Sequence, residues 1–170
     1  MEPAPTLSSI IIGGLNKRED LNCAETVLTA ASRAYGLDLP PSALKLAAGF
    51  GGGMAVESTC GALAGGVMAL SALFVRKRGR ESERIRTLTR EYLNRFAARY
   101  GSIDCSYLKD RLRESPDDCT PVMIEAGKLL QEIIDRELAA ETASPHDTPA
   151  SPASGRGRQP AETADDGGSS

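Results

Sequence analysis

The stretch Thr59-Cys60-Gly61-Ala62-Leu63-Ala64-Gly65-Gly66-Val67-Met68-Ala69-Leu70-Ser71-Ala72-Leu73-Phe74-Val75-Arg76 decides the fold. It is apolar nearly all round, and a helix with no solvent face belongs at the centre of a helical protein. From 58 to 75 there are eighteen residues without a charge, at the lower edge of a membrane span. Most of them are Gly, Ala, Ser and Thr, which transfer weakly into lipid, so a buried core helix over 59–76 is expected instead. Gly61 and Gly65 lie four apart and share one face, where another helix can approach closely. Arg76, Lys77 and Arg78 suit a helix C-terminus, and Gly79 suits the stop.

Helical spacing continues on both sides of this element. Upstream, 22–35 carries the stripe Ala24, Val27, Leu28, Ala31, Ala34 and Tyr35, with Gly36 as its C-cap. Pro40-Pro41 opens a short helix with Leu44, Leu46 and Ala47, which runs into the glycine-rich turn Gly49-Phe50-Gly51-Gly52-Gly53. Downstream, 80–99 carries Ile85, Leu88, Tyr92, Leu93 and Phe96 and ends at Gly101. A short helix follows Asp104, and a last one runs from about Cys119–Pro121 to Ala139 with Val122, Ala126, Leu129, Leu130, Ile133 and Ile134. No strand and no internal repeat emerges. The reading is an all-α, compact bundle of about five to six helices.

At 170 residues there is room for one domain, assigned to 20–140. Residues 1–19 form a partly ordered segment. The run Ser9-Ile10-Ile11-Ile12 is too short for a span and has no basic residues before it, so no signal peptide is expected and the chain is read as cytoplasmic. Residues 141–170 are rich in Pro, Ser, Gly and Asp and have almost no large apolar side chains, which predicts a disordered tail.

The formal net charge of −3 gives no cue for a polyanion partner, and few aromatics are present to stack on bases, so no nucleic acid is expected. Residues 76–99 nevertheless hold nine basic and three acidic side chains, read as the solvated face of an amphipathic helix.

Any chemistry resides in the four cysteines, Cys23, Cys60, Cys105 and Cys119. In a reducing compartment they are more often reactive or metal-binding than cross-linked. The bland alternative is that they fill space as small hydrophobes. Each follows a good N-cap residue: Asn22, Thr59, Asp104 and Asp118. Glu25 lies three residues after Asn22 and completes a capping box. The first turn of a helix offers unpaired N–H groups and a positive dipole end, which favour a thiolate. Lys109 would act in the same sense at Cys105, whereas Asp104 and Asp118 oppose it. In an up-down bundle Cys23, Cys60 and Cys105 share one end, and Cys119 reaches it only if the chain folds back after a short helix.

Other constellations are missing. The only histidine, His146, lies in the tail, so no Cys-His or Ser-His pair forms. No CxxC is present. The glycine run lacks the Lys-Ser/Thr of a phosphate loop and reads as a turn passing close to the Cys60 helix. Glu57, near Cys60, is a proton-relay candidate, with a solvated carboxylate the simpler reading.

The segment Cys60-Gly61-Ala62-Leu63-Ala64-Gly65 resembles the CGAxxG motif of the C_GCAxxG_C_C family, to which a redox role is ascribed from its cysteines. One early Cys, the motif Cys and two later ones fall on Cys23, Cys60, Cys105 and Cys119. Asn22-Cys23-Ala24-Glu25, the glycine turn and Gly101-Ser102-Ile103-Asp104-Cys105 are similar as well, so the resemblance covers 22–138. It implies no substrate, and it suggests association with a membrane transporter.

Three functions follow as expectations. The leading one is thiol–disulfide exchange with an unknown redox partner or small molecule, with Cys60 attacking and Cys23 resolving, and no cofactor required. The second is a metal or iron–sulfur site ligated by Cys23, Cys60, Cys105 and Cys119. The third is a non-catalytic module whose 76–99 helix contacts a transporter.

Overall fold

A computed structural model describes residues 4–113, 115 and 118–143. Residues 144–170, with His146, lie outside the described residues, and so does most of the segment expected to be a disordered tail. Among the described residues eight α-helices follow one another: α1 Leu7–Ile12, α2 Leu15–Glu19, α3 Cys23–Ala34, α4 Pro41–Leu44, α5 Gly61–Phe74, α6 Glu83–Tyr100, α7 Cys105–Leu112 and α8 Thr120–Ala143. No strand occurs among the described residues. Two isolated antiparallel bridges do, Thr59 with Asp104 and Ser115 with Asp118.

The apolar segment after Cys60 is indeed the central helix. Ala62, Leu63, Ala69 and Leu70 of α5 are fully buried. α6 closes one side with Ile85, Leu88, Tyr92 and Phe96, spaced three and four residues apart. α8 supplies Leu129, Leu130, Ile133 and Ile134 to the same core. Among the described residues no helix is long and apolar enough to cross a membrane.

The N-terminal segment, expected to be partly ordered, carries α1 and α2. Leu7, Ile11 and Leu15 recur every four residues and are fully buried. They settle on α8 where Gly127 leaves room: a Cβ there would lie 2.7 Å from Ile11 Cδ1 and 2.9 Å from Leu7 Cδ2. The Ser8 N–H and hydroxyl both donate to Gln131 Oε1, at 3.2 and 3.0 Å. Helices of five and six residues are unstable alone, so this order comes from docking rather than from propensity.

Part of the basic segment pairs with α8. Arg84 pairs with Glu137 at 2.9 Å and with Glu141, and its guanidinium lies 4.2 Å from the Phe74 ring centroid. Arg95 reaches Glu132, while Glu91 receives Arg136 at 2.6 Å. Single exposed pairs contribute little, but this row ties α6 to α8 along its length. Arg76, Lys77, Arg78 and Arg84 line a cleft of about 450 Å³ beside Phe74. It lies at the end of α5 remote from Cys60.

Candidate functional site

Three helix starts meet one glycine-rich segment. α3 begins with a complete capping box: Asn22 Oδ1 accepts from the Ala24 and Glu25 N–H groups, and Glu25 accepts from the Asn22 N–H. The Asn22 amide also donates to the Ala48 carbonyl at 2.9 Å, which fixes the glycine segment against Cys23. A Cβ on Gly51 would stand 2.9 Å from the Asn22 side chain. A Cβ on Gly61 would stand 2.5 Å from the Phe50 carbonyl oxygen and 2.6 Å from Cys23 Sγ. The sulfur of Cys23 therefore lies against the residue next to Cys60. Gly65, one turn on, lets the Ala24 backbone approach with no side chain between.

Cys60 and Cys105 are joined by backbone. The Cys60 N–H donates to the Ile103 carbonyl at 2.9 Å, and the Cys105 N–H donates to the Ser58 carbonyl at 2.6 Å. Thr59 and Asp104 pair between them. Side chains alternate along such a pairing, so Cys60 and Cys105 point to the same face, away from Thr59 and Asp104. Both are 4% exposed, while Cys23 and Cys119 are partly exposed.

The caps differ by one residue from the sequence expectation at two sites. Thr59 is held extended by its bridge to Asp104, so Cys60 itself is the N-cap of α5. Asp118 Oδ1 accepts from the Thr120 N–H at 2.8 Å, and the Cys119 carbonyl accepts the first helical bond of α8, from Met123. Asp104 is the N-cap of α7 but makes no side-chain cap bond. α2 anchors this last start: Lys17 pairs with Asp118 at 3.0 Å, and Asn16 donates to Thr120 Oγ1 at 3.1 Å.

Burial overrides the helix dipole at the thiols. Desolvation pushes the Cys60 thiol up to about 12, although the Leu63 and Ala62 N–H groups pull the other way without completing a cap bond. A thiolate on Cys60 would also be repelled by Cys23 and Cys105. Cys105 and Cys119 are raised as well, chiefly by burial, with Lys109 opposing at both and Arg113 at Cys119. Burial therefore opposes, at Cys60, the thiolate that a helix start favours. Charge on Cys23 is felt at each of the other three thiols.

Glu57 is exposed and pairs with Lys109 at 2.6 Å, which lowers its pKa and ties it to α7 rather than to Cys60. Its backbone is left-handed, at φ 58°, as are Gly52, Gly53, Met54 and Ala55. Such a conformation costs an L-residue about 1–2 kcal/mol, and three of these five have side chains. Tyr92 is a neighbour the sequence reading placed only on an apolar stripe. It is fully buried, packs on Gly66 and donates to the Ala126 carbonyl at 3.0 Å. Burial raises its pKa well above the ordinary phenol value, with a further contribution from Cys60. Only a polar atom on an otherwise apolar stripe signalled it. Among the described residues, no group of three or more His, Cys, Asp or Glu side chains is arranged to hold a metal ion.

A family model described as "Putative redox-active protein (C_GCAxxG_C_C)" matches residues 21–133. The chain belongs to the C_GCAxxG_C_C family. All four cysteines and the glycine segment fall within the match, whereas α1, α2 and the end of α8 lie outside it. In this C_GCAxxG_C_C chain the motif glycines are the two contact points for the start of α3, Gly61 for Cys23 and Gly65 for Ala24. No curated protein and no solved structure matches the chain.

Proposed function

We propose that this protein carries out thiol–disulfide exchange, with Cys23 as the attacking thiol and Cys60 as its resolving partner. The observation that carries this reading is the seat of Cys23 Sγ against Gly61, beside Cys60. The order reverses the one suggested by helix starts alone. Cys23 is partly exposed, and Cys60 is buried with its thiol held protonated.

In the exchange, the Cys23 thiolate attacks one sulfur of a disulfide substrate. A mixed disulfide forms, the substrate S–S bond breaks, and the leaving thiolate takes a proton. Cys60 then loses its proton and attacks Cys23 Sγ, releasing the second substrate thiol. Two electrons have moved from the protein to the substrate, and an external dithiol must reduce the Cys23–Cys60 disulfide. Cys105 and Cys119 would act as a second pair or as relays, supported by the electrostatic effect of Cys119 at Cys105, which places the two within reach of each other.

The test is oxidation of the reduced, folded protein with glutathione disulfide, followed by peptide mapping. A Cys23–Cys60 disulfide is expected in the parent, and Cys60→Ser should accumulate a glutathione adduct at Cys23. If no intramolecular disulfide forms, the reading fails.

A further inference from the structure

The strained turn at 52–58 has no role in the core. It raises Met54 and Val56 into solvent, at 42% and 75% exposure. What it does touch is chemical. Gly53 lies directly on Cys105, where a Cβ would come within 2.7 Å of Cys105 Cβ. Ser58 closes the turn by donating its N–H to the Gly53 carbonyl at 3.1 Å, and its own carbonyl receives the Cys105 N–H. Across the site, the Glu57 side chain pairs with Lys109 of α7. Lys109 sits one turn after Cys105 and acts on it electrostatically.

We propose that residues 52–58 form a latched cover over Cys105, with the Glu57–Lys109 ion pair as the latch. The closed turn stores left-handed strain at Met54, Ala55 and Glu57, so it is held shut by the ion pair and the Gly53 contact rather than by its own preference. Opening the latch releases the strain and uncovers Cys105. It also removes Glu57 from Lys109, whose ammonium then faces Cys105 without a neutralising carboxylate. The apolar tip, Met54 and Val56, is the part an arriving substrate would meet first. This deepens the thiol-exchange reading, because the cover governs access to Cys105, one of the two cysteines proposed there as a second pair or relay.

The experiment is timed alkylation of the full, reduced chain with iodoacetamide, with the rate at each cysteine read by peptide mass spectrometry. Cys23 is the internal reference. Glu57→Gln breaks the latch and keeps Lys109, and it should speed labelling of Cys105 about tenfold relative to Cys23. Ala55→Gly relieves strain in the closed turn, since glycine accepts a positive φ freely, and it should slow Cys105 several-fold. Opposite shifts in the two variants are the signature of the cover. Equal acceleration at all four cysteines in Glu57→Gln would mean general loosening and would overturn it, as would an unchanged or faster Cys105 in Ala55→Gly. Alkylation needs no disulfide chemistry, so this result stands apart from the outcome of the oxidation test.

Discussion

Gly61→Ala tests whether the site is as close-packed as the cysteine contact requires. The new Cβ would lie 2.5 Å from the Phe50 carbonyl oxygen and 2.6 Å from Cys23 Sγ. Ordinary contact begins near 3.4 Å, so 3.4 minus 2.5, or about 0.9 Å, is missing on the Phe50 side and about 0.8 Å on the Cys23 side. Overpacking on this scale costs roughly 1–3 kcal/mol. Alanine regains at most about 1 kcal/mol of helix propensity, and less at a first helical position. The net expectation is a loss of about 1–2 kcal/mol, which lowers Tm by about 3–8 °C in a domain of this size. Urea unfolding should show a lower midpoint with an unchanged slope. A double-mutant cycle sharpens the test. Removing the sulfur with Cys23→Ala relieves one of the two overlaps, so Gly61→Ala should cost about 0.5–1 kcal/mol less in that background. The Phe50 carbonyl is backbone and stays, so the cost should not vanish. If Gly61→Ala is as stable as the parent, or if its cost is the same with and without Cys23, the close seat of Cys23 beside Cys60 is refuted.

Asn22→Ala removes the side-chain oxygen that accepts both cap bonds of α3 and the tether to Ala48, and it should cost about 1–2 kcal/mol in urea unfolding. Tyr92→Phe removes the bond to the Ala126 carbonyl, for a loss of about 1 kcal/mol by the same measurement. Alkaline stability follows from Cys60. Its folded pKa is raised above the ordinary thiol value of 9.0 to about 12, so the stability it contributes is whole below about pH 9 and is lost as pH rises through about 12. Cys60→Ala should flatten the fall in stability across pH 9–12 by up to about 4 kcal/mol, measured by urea titrations at each pH.

The all-helical class, the central helix after Cys60 and the apolar stripes of α3, α6 and α8 were legible because they rest on local rules. A face such as Ile85, Leu88, Tyr92 and Phe96 is written in the spacing of the residues themselves. The Asn22 capping box needs only four consecutive residues, and the glycines at 61 and 65 announce a close approach without naming its partner. α1 and α2 were missed because helices of that length exist only when something covers them. The cover is α8, more than a hundred positions away, together with α3.

By itself, then, the sequence determined the helices, their apolar faces and the cysteines at helix starts, all properties set within one or two turns of chain. The tertiary structure alone decided what those starts are worth. It set Cys23 against Gly61, paired the backbone of Cys60 with Ile103, and placed Gly53 on Cys105. It also reversed the electrostatics. The helix dipole acts on Cys60 through its own first turn, but desolvation comes from every element packed around it and is the larger effect, so a position that favours a thiolate in isolation keeps a protonated thiol in the folded chain.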